Sequence, residues 1–280
     1  MGAHRVVIEP GSSGANYWSD LWQYRSLLLF LAWRDVMVRY KQTAIGIAWA
    51  VLRPVLTIGA MWFIGWLFGS TVPEGTPRIL MVCAATIPWQ FFATSFSETA
   101  NSLIVNSSLM TKVYFPRLSL PFSTVLVSFI DFAIAFVIMV LLMAAYAYVP
   151  GPEVFLLPVF VLLALVCSLG LGLLVAALNV KYRDFRYVVP FIVQFGLYLT
   201  PIAFSSSDVY SKDSIPEFVK LLYSCNPMVA VIDGFRYSLF GAAQPIHWTG
   251  FLISVGIAIM LLVAGVTYFR KTERGFADII

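Results

Sequence analysis

The feature that most constrains this chain is a series of long runs nearly free of charged side chains. A run of about 20 residues crosses the hydrocarbon core of a bilayer as an α-helix. Six such runs occur, at about 45–68, 79–97, 122–148, 154–178, 187–204 and 248–269. Composition agrees: 60% of the 280 residues are hydrophobic and 11% are charged, against roughly 25% charged in a soluble domain. A water-soluble core of this size has no use for so much apolar surface. No alternating pattern of about ten residues is present, which favours helices over a β-barrel. The expected fold is therefore all-α and polytopic: six transmembrane helices, an interfacial amphipathic helix near the N-terminus, and short re-entrant helices on the outer side.

Basic residues orient the spans. With the N-terminus in the cytoplasm, thirteen Lys and Arg fall inside and only four (Arg78, Lys212, Lys220, Arg236) outside, with Arg53 alone within a span. Both termini are then cytoplasmic. Seven acidic residues accompany the inner thirteen and six the outer four, so the net charge of +4 is polarised towards the cytoplasm. Residues 1–23 read as a cytoplasmic tail without the apolar run of a signal peptide, containing the flexible stretch Gly11-Ser12-Ser13-Gly14. Residues 270–280 form a cytoplasmic C-terminus.

The connecting segments are more specific. Residues 24–41 are too charged to span, yet Leu29, Phe30, Trp33, Val36, Met37 and Tyr40 share one arc of a helix, with Arg34, Asp35, Arg39 and Lys41 opposite. Such a helix lies in the membrane interface with its basic face towards headgroups and cytosol, as an anchor or as a substrate-handling element. The inner segment 98–121 carries Leu103, Ile104, Leu109, Met110, Val113, Tyr114 and Phe115. A polar link has no need of these residues, so the segment is expected to dock on a partner protein or on lipid. In the outer segment 205–247, Ser214-Ile215-Pro216-Glu217 has capping-box spacing, Asn226-Pro227 is a second helix start, and Gly241 is a stop. The helix between the last two is apolar nearly all round and is expected to be re-entrant. Pro190 and Pro201 shorten the span before it.

Several chemistries are excluded. Neither His4 nor His247 lies within a span, so an intramembrane serine protease is not supported, and no HExxH zinc motif is present. Cys83, Cys167 and Cys225 are too far apart for CxxC chemistry. The +4 charge is weak and scattered, which argues against nucleic acid. None of the six lysines follows a glycine, so the chain lacks a P-loop and any nucleotide energy must come from another chain. A proton-coupled carrier usually keeps several ionisable groups at membrane depth. Here Asp131 and Arg53 are the two clear cases. Asp131, beside Ser128, is satisfied by a helix–helix hydrogen bond or serves a proton relay. Arg53, before the kinking Pro54, snorkels or binds an anion.

Five stretches resemble the permeases of ABC exporters for O-antigen, capsule and teichoic-acid polysaccharides. They are LLLFLAWRDVMVRYKQTAIGIAWAVLRPVL at 27–56, IPWQFFATSFSETANSLIVNSSLMTKVYFPRLSLP at 87–121, NVKYRDFRYVVPFIVQFGLYLTPIAF at 179–204, NPMVAVIDGFRYSLFG at 226–241 and YFRKTERGFADII at 268–280. The similarity runs from about residue 20 to the C-terminus, and the tail before it has no motif of the family. The resemblance implies a homodimer with one continuous channel and two copies of a separate ATPase subunit. ATP and Mg then belong to that partner, and no cofactor or metal to this chain. It implies a lipid-linked glycan, usually on undecaprenyl diphosphate, moved across the inner membrane. It makes 24–41 a gate helix and seats 101–117 in a cleft of the ATPase, with Asn106, Ser107, Ser108, Leu109, Met110, Lys112, Tyr114, Phe115 and Arg117 as the coupling residues.

Arg34, Arg39, Lys41 and Arg53 are then expected to attract the carrier's diphosphate at the cytoplasmic entrance. Trp62, Trp66, Trp89, Phe91, Phe92, Tyr198 and Phe204, near span ends, are expected to line the channel, where aromatic rings stack on sugars, or to anchor the protein as an interfacial belt. Two alternatives remain open at this stage. One is a permease of the same architecture exporting a small lipid or drug. The other is a channel or secondary carrier working without an ATPase.

Overall fold

The computed structural model describes residues 17–41, 48–67, 75–110, 112, 115–182 and 184–276. These residues form helices and no strands, as the apolar runs require. The chain order is α1 (Tyr17–Gln23), α2 (Arg25–Lys41), α3 (Ala48–Leu67), α4 (Arg78–Val105), α5 (Ser107–Met110), α6 (Ser119–Ala145), α7 (Leu157–Lys181), α8 (Phe185–Leu199), α9 (Ser206–Tyr210), α10 (Glu217–Ser224), α11 (Pro227–Phe240) and α12 (Trp248–Thr272). A 3-10 turn at Pro152–Leu156 leads into α7.

Five of the elements are long and apolar enough to cross a bilayer: α3, α4, α6, α7 with its 3-10 turn, and α12. The sixth expected span, 187–204, is α8, with 15 residues and Pro190 inside. At 1.5 Å per residue it reaches about 22 Å, short of the roughly 30 Å core. The second span also differs from expectation. It does not end at residue 97 but continues as helix to Val105. Glu98 therefore sits two turns inside α4 rather than in a loop.

Helix α4 is the axis of the molecule, packing on α3, α6, α7, α8 and α11. Its residues Cys83, Ala84, Ala85 and Phe96 have no exposed surface. Helix α7 fills the space between α4 and α12, and small residues permit close approach there. A Cβ added at Gly265 would meet the Gly170 carbonyl oxygen at 2.2 Å, and one added at Gly172 would meet the Thr99 side chain at 2.6 Å. Small residues of this kind let helices pack where no hydrophobic effect drives them together.

In the outer segment the start at Asn226-Pro227 forms as expected. The Asn226 side chain accepts from the Met228 amide at 3.0 Å, and Gly241, at φ 55°, ends the helix. The capping box at Ser214–Glu217 does not form; Pro216 caps α10 without a side-chain bond. The box lies instead at Ser205 and Asp208, before α9. Helix α11, apolar nearly all round, is enclosed by protein, with Val231, Ile232 and Phe235 wholly buried. Its one buried cation, Arg236, donates to the Phe204 and Ile202 carbonyls at 2.9 and 3.1 Å, bracing the turn after α8.

Apolar side chains form two clusters. The larger joins α4, α6, α7 and α11. The smaller gathers Tyr17, Leu31, Leu103, Met110, Phe115, Leu118, Leu173, Val180, Phe269 and Phe276 at the expected cytoplasmic end. The segment read as a tail through residue 23 is helical from Tyr17 on. Tyr17 starts α1, is buried, and donates to Glu273 Oε2 at 2.9 Å while the Arg270 guanidinium lies 4.9 Å from its ring centre. Burial and the neighbouring Glu273 carboxylate hold its phenol well above the usual range.

Candidate functional site

Two acidic side chains stand within the long apolar helices α3, α4, α6, α7 and α12: Glu98 on α4 and Asp131 on α6. A carboxylate at such depth needs a cationic or hydrogen-bonding partner. Both find it on α2. Arg39 donates through Nη2 to Glu98 Oε1 and through Nη1 to Asp131 Oδ2, the latter at 2.5 Å. The Tyr40 hydroxyl donates to Asp131 Oδ1. Ser128 Oγ donates to Glu98 Oε2 at 3.3 Å and to the Thr124 carbonyl at 3.2 Å. One turn earlier on α2, Arg34 Nε donates to Asp35 at 2.8 Å and its Nη2 donates to Asn106 Oδ1 at 2.8 Å.

These bonds reverse one expectation. Arg34 and Arg39 of the charged face turn towards α4 and α6, and Leu29, Phe30, Trp33 and Val38 are apolar residues left exposed. Satisfying two membrane-depth carboxylates outweighs solvating the cations. Of the four residues expected at the entrance, Arg34 and Arg39 are thus engaged by protein acceptors, while Lys41 is exposed. Arg53 is also exposed, with no side-chain acceptor among the described residues. Asp131 has its helix–helix hydrogen bond, and α2 supplies it.

A cavity of about 540 Å³ opens among α2, α3, α4 and α6. Arg39, Arg53, Glu98 and Asp131 line it together with Gln90, Thr94, Tyr40 and Ser128, and Trp49, Phe91 and Phe132 form its apolar wall. The four charges balance. A second cavity of about 480 Å³ lies along α2 between α4 and α6, lined by Asp35, Val38, Asn101, Asn106 and Val127 among others. Arg39 and Glu98 are the two residues common to both linings. Sequence reasoning missed Glu98 because it placed the residue in a loop. The available signal was an acid inside an apolar run that continues past it, with an arginine-bearing helix to neutralise it.

The coupling segment is also rearranged. Asn106 ends α4, and its side-chain amide donates to the Ser102 carbonyl at 3.0 Å. Met110 and Phe115 are buried in the smaller of the protein's own two clusters, with Leu109 packed against it. Arg117 lies over the Phe276 ring at 5.9 Å. Of the apolar residues that suggested docking on a partner, Leu103, Met110 and Phe115 are internal, whereas Ile104 and Leu109 are partly exposed. The exposed residues are Val105, Ser108 and Lys112, with Ser107 partly so. Tyr114 lies outside the described residues.

The expected channel aromatics divide. Trp89, Phe91 and Phe92 are core residues of the chain, each no more than 4% exposed. Trp89 packs on Gly196 of α8, where a Cβ would meet its ring at 2.6 Å. Phe91 is held between Phe129 and Phe132, and Phe92 stacks on Phe96. Trp62, Trp66 and Tyr198 are exposed on α3 and α8, and Phe204 is half-buried beside Tyr223. Tyr187, Phe191 and Phe195 extend the exposed stripe on α8, where Val189 is the one buried residue.

Comparison with known proteins accords with this architecture. Over 262 residues the chain is 28% identical to the O-antigen export system permease protein RfbA of Myxococcus xanthus, covering 93% of this chain and 98% of that one. Two permeases of the same name from Klebsiella pneumoniae are 27% and 25% identical over 256 residues, each covering 91% of this chain and 95% of theirs. The match to the ABC-2 type transporter family extends over residues 26–240, and the chain belongs to that family as a membrane permease.

Proposed function

We propose that this chain is the channel-forming permease of an ATP-driven exporter that moves a lipid-linked polysaccharide, a glycan on undecaprenyl diphosphate, across the inner membrane. It works as a homodimer with two ATPase subunits, its termini in the cytoplasm, and ATP with Mg is held by the partner. The observation that carries this reading is the similarity, over nearly the whole of both chains, to permeases named for O-antigen export. The lack of any Gly-Lys pair fits a nucleotide site on another chain.

Two surfaces support the assembly. Helix α3 buries Pro54, Ile58, Met61 and Gly65 on one stripe and leaves Trp62, Phe63 and Trp66 outside. Helix α8 is too short to cross alone and exposes an aromatic stripe from Tyr187 to Tyr198. A second copy would cover part of these faces, and the remaining rings of α3 and α8 would line a shared path for sugars. At the cytoplasmic end, Ser107, Ser108 and Lys112 form the surface offered to the ATPase.

The test is a deletion strain complemented with this chain. Wild type is expected to restore surface polymer, and Arg53→Ala with intact expression to leave lipid-linked glycan in the cytoplasm. Surface polymer unchanged by the deletion would remove the glycan reading. Export that continues when the partner ATPase carries a hydrolysis-blocking substitution would remove the ATP-driven one.

A further inference from the structure

We propose that Arg39, Glu98 and Asp131 form a latch beneath α2, and that a phosphate group carried on a lipid opens it by taking Arg39 from the two carboxylates; the choice of ligand rests on the cargo reading above. Three observations lead to this. First, the Arg39–Glu98 pair is the wall between the two cavities, since among the described residues these two alone line both. Separating them joins about 540 and 480 Å³ into one passage running under α2.

Second, the C-terminal half of α2 is held by polar bonds. From Trp33 to Lys41 no side chain is buried, and Arg39 and Tyr40 tie that stretch to α4 and α6. The pairs are partly open to solvent, with 30% of the Arg39 side chain exposed and 25% of each carboxylate side chain, so their partners can exchange.

Third, the larger cavity is lined by donors that an anion could engage. Among the described residues Arg53 has no side-chain acceptor and Gln90 Nε2, buried at the cavity wall, has no hydrogen-bond partner. A phosphate offers a guanidinium the same two-oxygen geometry as a carboxylate, with comparable or greater charge. An anion seated on Arg53 and Gln90 competes for Arg39 within the same cavity. When Arg39 turns to it, Glu98 keeps its bond from Ser128, α2 loses its principal tie to α4, and the freed carboxylates repel the anion onward. Arg39 is therefore a gating cation rather than an open attractant, and Glu98 and Asp131 are its positioning residues.

The test is amide hydrogen exchange of residues 25–41 in the full-length chain, held in nanodiscs of phosphatidylcholine, whose phosphate is neutralised by its own choline, so that only the added lipids bring net anionic phosphate. Three conditions are compared: no addition, added undecaprenyl diphosphate, and added phosphatidylglycerol. Glu98→Gln combined with Asp131→Asn is expected to speed exchange of this segment about tenfold without any addition. Tyr40→Phe, a milder change, is expected to speed it less and serves if the double variant does not fold. In wild type, added phosphate lipid is expected to produce the same acceleration, and Arg53→Gln to lose that response. A response to undecaprenyl diphosphate alone assigns the latch to the cargo, and an equal response to phosphatidylglycerol assigns it to bulk headgroups; both support a phosphate-operated latch. Wild-type exchange in the carboxamide and Tyr40 variants, or no response to either lipid, overturns it. The cargo reading fails separately, through normal surface polymer in the deletion strain.

Discussion

Arg34 donates to Asn106 across 2.8 Å and 72 residues of sequence, tying the interfacial helix α2 to the residue that ends α4. Asn106 faces both ways, because its carbonyl also accepts the Leu109 and Met110 amides that begin α5. Movement of α5 therefore reaches α2 through one side chain. Replacing Asn106 with Ala removes the acceptor and is expected to cost about 1–2 kcal/mol, read as a lower Tm of the purified protein. Asn106→Asp keeps an acceptor for Arg34 and is expected to retain most of that stability. A Tm unchanged in Asn106→Ala would show that the bond does not hold the two helices together.

The α7–α12 contact gives a prediction with an internal control. At Gly265 an added methyl meets the Gly170 carbonyl at 2.2 Å, against backbone that cannot step aside, whereas Gly59 and Gly256 have nothing within 4 Å. Gly265→Ala is expected to cost about 1–3 kcal/mol through overpacking. Gly59→Ala and Gly256→Ala are expected to be neutral or slightly stabilising, since alanine suits a helix better than glycine. Thermal unfolding of the three variants in detergent decides this. Equal Tm values would mean that α7 and α12 do not approach through these glycines.

The clasp between α1 and the C-terminal end of α12 has a pH signature. The Tyr17 phenol donates to Glu273, and its pKa is raised by burial and by that carboxylate. A group with a raised folded-state pKa contributes stability that is fully present below the unfolded value, about 10 for tyrosine, and lost as pH climbs past it. The advantage of wild type over Tyr17→Phe is thus expected to be about 1 kcal/mol, constant from pH 7 to 9, and to shrink above about pH 10. Denaturation of both proteins across that range measures it. A difference that grows with alkalinity would contradict the hydrogen-bond direction.

How much of this was legible in the sequence depends on the range of the force involved. The apolar runs placed the long helices because hydrocarbon leaves the backbone no other partners. Asn226-Pro227 and Gly241 marked α11 because caps and stops are local. Apart from the local capping box expected at Ser214–Glu217, the main misplacements follow from distant partners. Glu98 was assigned to a loop because a lone acid in an apolar run reads as an end, and its neutralising Arg39 is 59 residues away. Helix α1 was missed because Tyr17 is secured by Glu273, 256 residues on. The charged face of α2 was read as facing headgroups because amphipathicity reports two faces without saying which one meets protein.

Aromatic residues illustrate the same limit. Trp89 and Tyr198 look alike in sequence, each near a span end, yet one is 4% exposed and the other 64%. Trp89→Ala is expected to cost about 3–5 kcal/mol and to reduce the amount of folded protein. Tyr198→Ala is expected to change stability by less than about 0.5 kcal/mol and to lower polymer export at normal expression, as the proposed sugar path requires. Comparing Tm with surface polymer for the two variants separates a packing role from a channel role. Normal export by Tyr198→Ala would take α8 out of the path.

The segment proposed to couple to the ATPase permits the same separation. Phe115 is 5% exposed within the cluster that holds Met110, Leu118 and Phe276, while Lys112, a few residues before it, is exposed. Phe115→Ala empties part of that cluster and is expected to cost about 3–5 kcal/mol, so its effect on ATPase binding arises through misfolding. Lys112→Glu buries and removes nothing inside the protomer, and its stability is expected to lie within about 0.5 kcal/mol of wild type. If the ATPase seats against this surface, reversing the charge weakens co-purification of the ATPase with a permease that still melts normally. With Met110 and Phe115 facing inward, the proposed docking surface includes Ser107, Ser108 and Lys112, polar residues whose contribution to affinity is expected to depend on salt. Full co-purification of the ATPase with Lys112→Glu at low salt would show that the docking surface lies elsewhere.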